Sequence, residues 1–157
     1  MSRPSWDEYF HKITIEVSQR STCLRRQVGA VLVVDKHILT TGYNGVPRGL
    51  RHCEDVGCLR TANNVPSGER HELCRGLHAE MNALLQGVKY GIKIAGSTLY
   101  TTTYPCSLCA KMLINADVKR IVTEDDYPDD LAKDMLAEAK IKVDIMKKTG
   151  TRKKTKR

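Results

Sequence analysis

Two short runs carry the densest chemistry in this chain: His78-Ala79-Glu80 and Pro105-Cys106-Ser107-Leu108-Cys109. Cysteines at i and i+3 lie on one helix face, with Cβ atoms about 5–6 Å apart. The positive end of a helix dipole favours thiolate, the form that binds zinc. His78 adds an imidazole. Three protein ligands fall one short of a closed structural zinc site and match a catalytic one, which keeps its fourth position for water. Zinc brings the pKa of bound water to about 7 in favourable sites, and a nearby carboxylate, Glu80, is placed to take and return its proton. Deep in a helix, residues two apart point about 200° apart. His78 and Glu80 therefore work together only at a helix start. A disulfide, a redox pair or a zinc ribbon also uses Cys-x-x-Cys, but none of them gives Glu80 a task.

The surrounding elements must bring both helix starts to one sheet edge. Trp6–Arg20 has helical spacing at Trp6, Tyr9, Phe10, Ile13 and Val17, with Ser5 and Glu8 as a capping box. Val28–Asp35 reads as a buried strand that a short Asp35-Lys36 turn joins to a second, forming a hairpin. Residues 46–76 are polar and rich in Gly, Pro and Cys. A structureless loop of that length needs something to hold it. From His78 onward helices and strands alternate, giving the order α-β-β-α-β-α-β-α-β. The expected class is α/β: a mixed five-stranded sheet in a three-layer α-β-α sandwich.

The chain has 157 residues, 41% hydrophobic and 28% charged, which suits one domain. No apolar run approaches the ~20 residues of a membrane span, and the first ten residues lack a signal-peptide stretch. The expected location is the cytoplasm, where six cysteines point to metal or catalysis rather than disulfides. The net charge is +8, but Lys147–Arg157 carries seven positive charges and no negative one, leaving +1 on the rest. Residues 1–146 therefore form the expected domain and 147–157 a basic, disordered tail. The nearly neutral body gives no support to a nucleic-acid partner, and none is expected.

His-x-Glu followed by Pro-Cys-x-x-Cys is the established signature of zinc nucleobase deaminases. The chain resembles the deoxycytidylate (dCMP) deaminases of the cytidine deaminase superfamily from Ser5 to Met146. The resemblance is carried by SWDEYF, RSTCLRRQVGAVLV, TGYNGVPRG, CRGLHAEMNAL, TTTYPCSLCAKMLI and the DDYPDD region. It implies a cytidine deaminase-like fold and hydrolysis of dCMP to dUMP and ammonia, supplying dUMP for thymidylate synthesis. It assigns catalytic zinc (Zn2+) to His78, Cys106 and Cys109, and the proton shuttle to Glu80, with proton transfer to ring N3 and then to the departing amine. It assigns Asn44 to the nucleotide, where the residues alone allow a hairpin turn at Asn44-Gly45 instead. The backbone around Ala79 and Cys106 would bind the base. Tyr104 would pack on the pyrimidine or in the core, and Arg26, near Arg20 and Arg25, would meet the 5′-phosphate.

The resemblance also implies a second, structural zinc, with Cys23 and Cys53 as ligands. Cys74 is a good third, and the fourth is Cys58 or His71, with Cys58 preferred; buried free thiols are the alternative. It further implies a homohexamer with allosteric regulation: dCTP activating with a divalent ion such as Mg2+, and dTTP inhibiting. Two rivals stand beside this reading. One is a deaminase of tRNA adenosine or free cytidine. The other is a non-catalytic, zinc-stabilised nucleic-acid-binding protein, whose salt-sensitive binding would survive loss of Glu80.

Overall fold

Helix α1 (Trp6–Ser18) begins at a reciprocal cap. The Ser5 hydroxyl accepts the Glu8 amide at 3.2 Å, and the Glu8 carboxylate accepts the Ser5 amide at 2.7 Å. These are the first contacts of a computed structural model that describes residues 2–126 and 129–146. The basic run expected as a tail lies outside the described residues. The apolar stripe of α1 is narrower than its spacing predicts. Phe10 is buried, but Trp6 and Tyr9 are 43% and 45% exposed. Their rings cover Phe10, at centroid distances of 5.6 and 5.1 Å, instead of entering the core.

Strands β1 (Gly29–Val34) and β2 (His37–Tyr43) form the expected hairpin. Asp35 and Lys36 both take positive φ, 48° and 63°, the primed two-residue turn whose twist matches the strands. Residues 46–76 are less bare than their composition suggests. They hold two one-turn helices, α2 (Cys53–Val56) and α3 (Leu59–Ala62), and a 3-10 turn at His71–Leu73. Four residues are too few for periodicity to register. A two-way bridge between Gly45 and Leu77, with N···O distances of 3.2 and 2.8 Å, closes the base of this segment.

The remaining elements are α4 (Ala79–Tyr90), β3 (Thr98–Thr101), α5 (Ser107–Asn115), β4 (Arg120–Thr123), α6 (Asp130–Glu138) and β5 (Lys142–Ile145). The sheet order is β2-β1-β3-β4-β5. β1 runs antiparallel to both neighbours, while β3, β4 and β5 are parallel. Four strands therefore point one way, and the carboxyl ends of β2, β3 and β4 share one edge. The chain leaves β2 to reach α4, β3 to reach α5 and β4 to reach α6, so three helices start at that edge. This is where ligands bind in open α/β sheets.

The sheet is covered on both faces, giving three α-β-α layers. On one face Phe10 of α1 packs with Val31, Val33, Tyr100 and Val122. On the other, α4, α5 and α6 bury Ala83, Leu113 and Leu136 against Leu32, Leu99 and Ile121. The approach of α4 to β2 depends on Gly42. A Cβ there would lie 2.2 Å from the Ala79 carbonyl oxygen and 2.4 Å from the Ala83 nitrogen, both backbone atoms.

An ion network fastens α1 to the sheet. Arg120 donates to both carboxylate oxygens of Asp7, at 2.9 and 2.8 Å, and to Asp144 at 2.7 Å. The Tyr100 hydroxyl donates to Asp7 at 2.7 Å. Hydrogen bonding from Arg120 holds the Asp7 carboxyl below the usual carboxylate range. Its stabilising effect is thus complete above the unfolded value of about 4 and is lost as pH falls through the folded one. Asp7 is 35% exposed, so solvent screening trims the effect. In urea melts at pH 7, Asp7→Asn is expected to lose about 1–2 kcal/mol. The gap from wild type should close as pH drops below about 4.

Candidate active site

His78 is the N-cap of α4, with extended backbone (φ −71°, ψ 157°), and Glu80 lies in the first turn. Cys106 is the N-cap of α5 (φ −73°, ψ 169°), and Cys109 lies in its first turn. At an N-cap the chain has left the helical path, so His78 and Glu80 escape the opposed directions they would have inside a helix. His78 Nδ1 lies 3.4 Å from Cys106 Sγ and 3.4 Å from Cys109 Sγ. Zn–N and Zn–S bonds at a tetrahedral angle place nitrogen and sulfur roughly 3.6 Å apart. The donor set fits zinc in chemistry and spacing. Among the described residues, this is the one group of three metal-binding side chains whose ligand atoms all lie within 4.8 Å of one another.

Glu80 is 4% exposed, and its Oε2 lies 3.6 Å from Cys109 Sγ. Burial pushes its carboxyl pKa up. The two thiols divide one proton between them. The hydrogen bond from Cys109 brings Cys106 down to about 4, and the same pairing pushes Cys109 well above the thiol range. A coordinated metal would take both as thiolates.

A cavity of about 290 Å³ opens on this group; among the described residues its lining includes Arg25, Arg26, Arg60 and Arg75, with Glu80 the single acid. Asn44 lines it but is already engaged. Its Oδ1 accepts the Val28 amide at 2.8 Å, and its Nδ2 donates to the Arg26 carbonyl at 2.7 Å. Its φ is not positive, so the hairpin-turn alternative for Asn44-Gly45 does not hold; that turn is Asp35-Lys36. Ala79 is fully buried in the wall. Arg26 pairs with Asp125 at 2.6 Å. Tyr104 belongs both to the core cluster and to the cavity wall, so its two readings coexist.

Cys23, Cys53, Cys58 and Cys74 are free thiols, and all four line the same cavity. Burial raises the Cys53 thiol, and Cys58, Cys23 and Cys74 add to the rise through their proximity. Among the described residues no three of these sulfurs reach the mutual spacing of the first group. His71 packs its ring edge-on against His78, at a centroid distance of 4.9 Å. Sequence reasoning missed Arg60 and Arg75. Their Nε atoms are buried without a hydrogen-bond partner, while one Nη2 donates to Pro66 and the other to Arg51 carbonyls. Both lie between Val46 and Leu77, where no periodic pattern points inward.

Residues 4–124 match the family model of the cytidine and deoxycytidylate deaminase zinc-binding region. The chain belongs to the cytidine and deoxycytidylate deaminase family. It is 41% identical over 127 residues to the ComE operon protein 2 of Bacillus subtilis (strain 168), covering 81% of this chain and 63% of that protein. It is 39% identical over 127 residues to the deoxycytidylate deaminase of Mycobacterium phage D29, covering 78% of this chain and 96% of that one. The crystal structure of the cyanophage S-TIM5 dCMP deaminase in complex with dCMP and dUMP aligns with a TM-score of 0.77 at 31% identity, covering 93% of this chain and all of that one. The chain spans less than two thirds of the Bacillus protein, and 38% and 40% of the deoxycytidylate deaminases of Schizosaccharomyces pombe and Saccharomyces cerevisiae.

Metal analysis of purified protein tests the donor set. Cys106→Ser and His78→Ala should each lose one zinc per chain relative to wild type. Glu80→Gln should retain it, because the carboxylate is not needed as a ligand.

Proposed function

We propose that this chain hydrolyses dCMP to dUMP and ammonia in the cytoplasm, supplying dUMP for thymidylate synthesis. The observation that carries the reading is a buried Glu80 carboxylate, 3.6 Å from one of the three candidate ligands, on the wall of a cavity holding four arginines. The likeness to the phage deoxycytidylate deaminase and to a dCMP- and dUMP-bound structure supports the substrate.

His78, Cys106 and Cys109 would hold zinc, which when bound supplies Lewis-acid activation of water. Glu80 takes a proton from the water that attacks C4 of the ring. It delivers that proton to ring N3, then carries the proton of the new C4 hydroxyl to the amine; the C4–N bond breaks as the C4 carbonyl forms and ammonia leaves, so one carboxyl acts as base and acid in turn. Burial, by raising its pKa toward working pH, suits both steps. Ala79 and Tyr104 lie in the wall where the base would sit. Asn44 contributes by fixing the Arg26–Val28 backbone beside the cavity. Arg60 and Arg75, with Arg26 if it exchanges its Asp125 partner, would meet the 5′-phosphate. Arg60 and Arg75 suit that task because each has a buried Nε without a partner.

In the same reading Cys23, Cys53, Cys58 and Cys74 take a second, structural zinc. Their convergence on one cavity, in a segment with little core of its own, supports it. Self-association, to a hexamer by the resemblance, is supported by exposed apolar side chains on adjacent helices: Leu85 and Val88 of α4, Leu108 and Met112 of α5, and Leu131 of α6. Regulation by dCTP with Mg2+ and by dTTP completes the reading.

The test is ammonia release from dCMP, with zinc counted in every sample. Glu80→Gln should lower kcat by about 10²–10⁴-fold at full catalytic zinc. Arg60→Ala should raise KM for dCMP about 10-fold or more while leaving turnover of deoxycytidine unchanged. Wild type should bind two zinc ions per chain and Cys58→Ser one. A zinc-loaded wild type that spares dCMP and deaminates tRNA adenosine or cytidine would replace the substrate. Salt-sensitive nucleic-acid binding with no deamination would remove the enzyme reading altogether.

A further inference from the structure

The acidic run Asp125–Asp130 is part of the family resemblance, yet the chemistry above gives it no task. In the structure Asp129 serves two helices with one carboxylate. Its Oδ1 accepts the Ala132 amide at 3.0 Å, as the N-cap of α6. Its Oδ2 accepts the Ser107 amide at 2.8 Å. Ser107 is the first residue of α5 and the next in the chain after Cys106.

A helix start leaves four amides without intrahelical partners, and the N-cap side chain normally serves one of them. Cys106 occupies the N-cap of α5, but its sulfur faces His78 Nδ1 and makes no cap bond. The Ser107 amide, the first of the four, is met by Asp129 from another loop. The same loop acts on the other side of Cys106, where the Asp125 carbonyl accepts the Tyr104 amide at 3.1 Å. Cys106 is thus bracketed by two hydrogen bonds, one to Tyr104 two residues before it and one to Ser107 just after it.

We propose that Asp129 is a positioning residue for the metal ligand Cys106, holding the adjacent amide so that the Cys106 sulfur meets His78 Nδ1. The inference rests on the metal reading of His78, Cys106 and Cys109. It is tested with Asp129→Ser and Asp129→Asn. Both residues are good N-caps and preserve α6. Serine is too short to reach Ser107 as well, and asparagine carries only one acceptor oxygen.

Zinc affinity is measured by chelator competition, and ligand geometry by the thiolate-to-cobalt absorption of cobalt-substituted protein. Cys106→Ser serves as the reference for a lost ligand. Both Asp129 variants should bind zinc about 10-fold or more weakly than wild type, with a shifted cobalt band. A folded variant that keeps wild-type zinc affinity and cobalt spectrum overturns the proposal, whatever its melting temperature, because capping of α6 alone would explain it. A wild type that takes up no zinc overturns the metal reading itself, and this inference with it.

Discussion

One nitrogen and two sulfur atoms, delivered from two helix starts that are 28 residues apart along the chain at their closest, must converge to within about 4 Å. Most of the architecture answers that demand. Because β1 alone runs against the other strands, the carboxyl ends of β2 and β3 lie at one edge with β1 between them. The chain then enters α4 and α5 from the same side. Gly42 lets α4 settle on β2 at backbone contact, which fixes the height of His78 and Glu80 above the sheet. Hydrogen bonds from Asn82 to the Tyr43 carbonyl and from the Thr41 amide to Gln86 hold that seating, each at 2.8 Å.

Placing candidate metal ligands at N-cap positions has a second consequence. Neither His78 nor Cys106 makes a side-chain cap bond, so neither helix is capped by its own N-cap residue. The positive helix ends favour the thiolates but leave amides to satisfy. At α5 a carboxylate from the β4–α6 connection meets this need. The opposite face of the sheet is built differently. There α1 is held by Phe10 packing and by the Asp7–Arg120–Asp144 network, remote in the fold from the chemistry.

What could be read in the sequence follows from the range of each interaction. The capping box at Ser5 and Glu8, the Asp35-Lys36 hairpin and the helix starts at His78 and Cys106 depend on neighbours within a few residues, and local pattern suffices for them. The exposure of Trp6 and Tyr9 depends on where α1 crosses the sheet, which periodicity cannot state. Helices α2 and α3 are single turns, shorter than the window in which a period can be seen. Asp129 meets Ser107 across 22 residues, and Arg26 meets Asp125 across 99. Only the sheet order brings such pairs together. The same holds for Arg60 and Arg75, which become cavity residues through the folding back of residues 46–76.

That folded-back segment bears on the substrate the proposed reading names. Its base is closed by the Gly45–Leu77 bridge, and its residues supply much of the wall of a cavity of about 290 Å³. A wall of this kind suits a small ligand taken in whole better than one base of a long polynucleotide, whose flanking backbone needs open ground on both sides. Its charge points the same way. Among the described residues of the wall, Arg25, Arg60 and Arg75, beside an Arg26 already paired with Asp125, outweigh the Glu80 carboxylate and favour a compact anionic phosphate. Burial favours the neutral form of Glu80, while a charged His78 beside it favours the carboxylate. The proposed shuttle, which first accepts a proton and then returns it, works best between two such pulls.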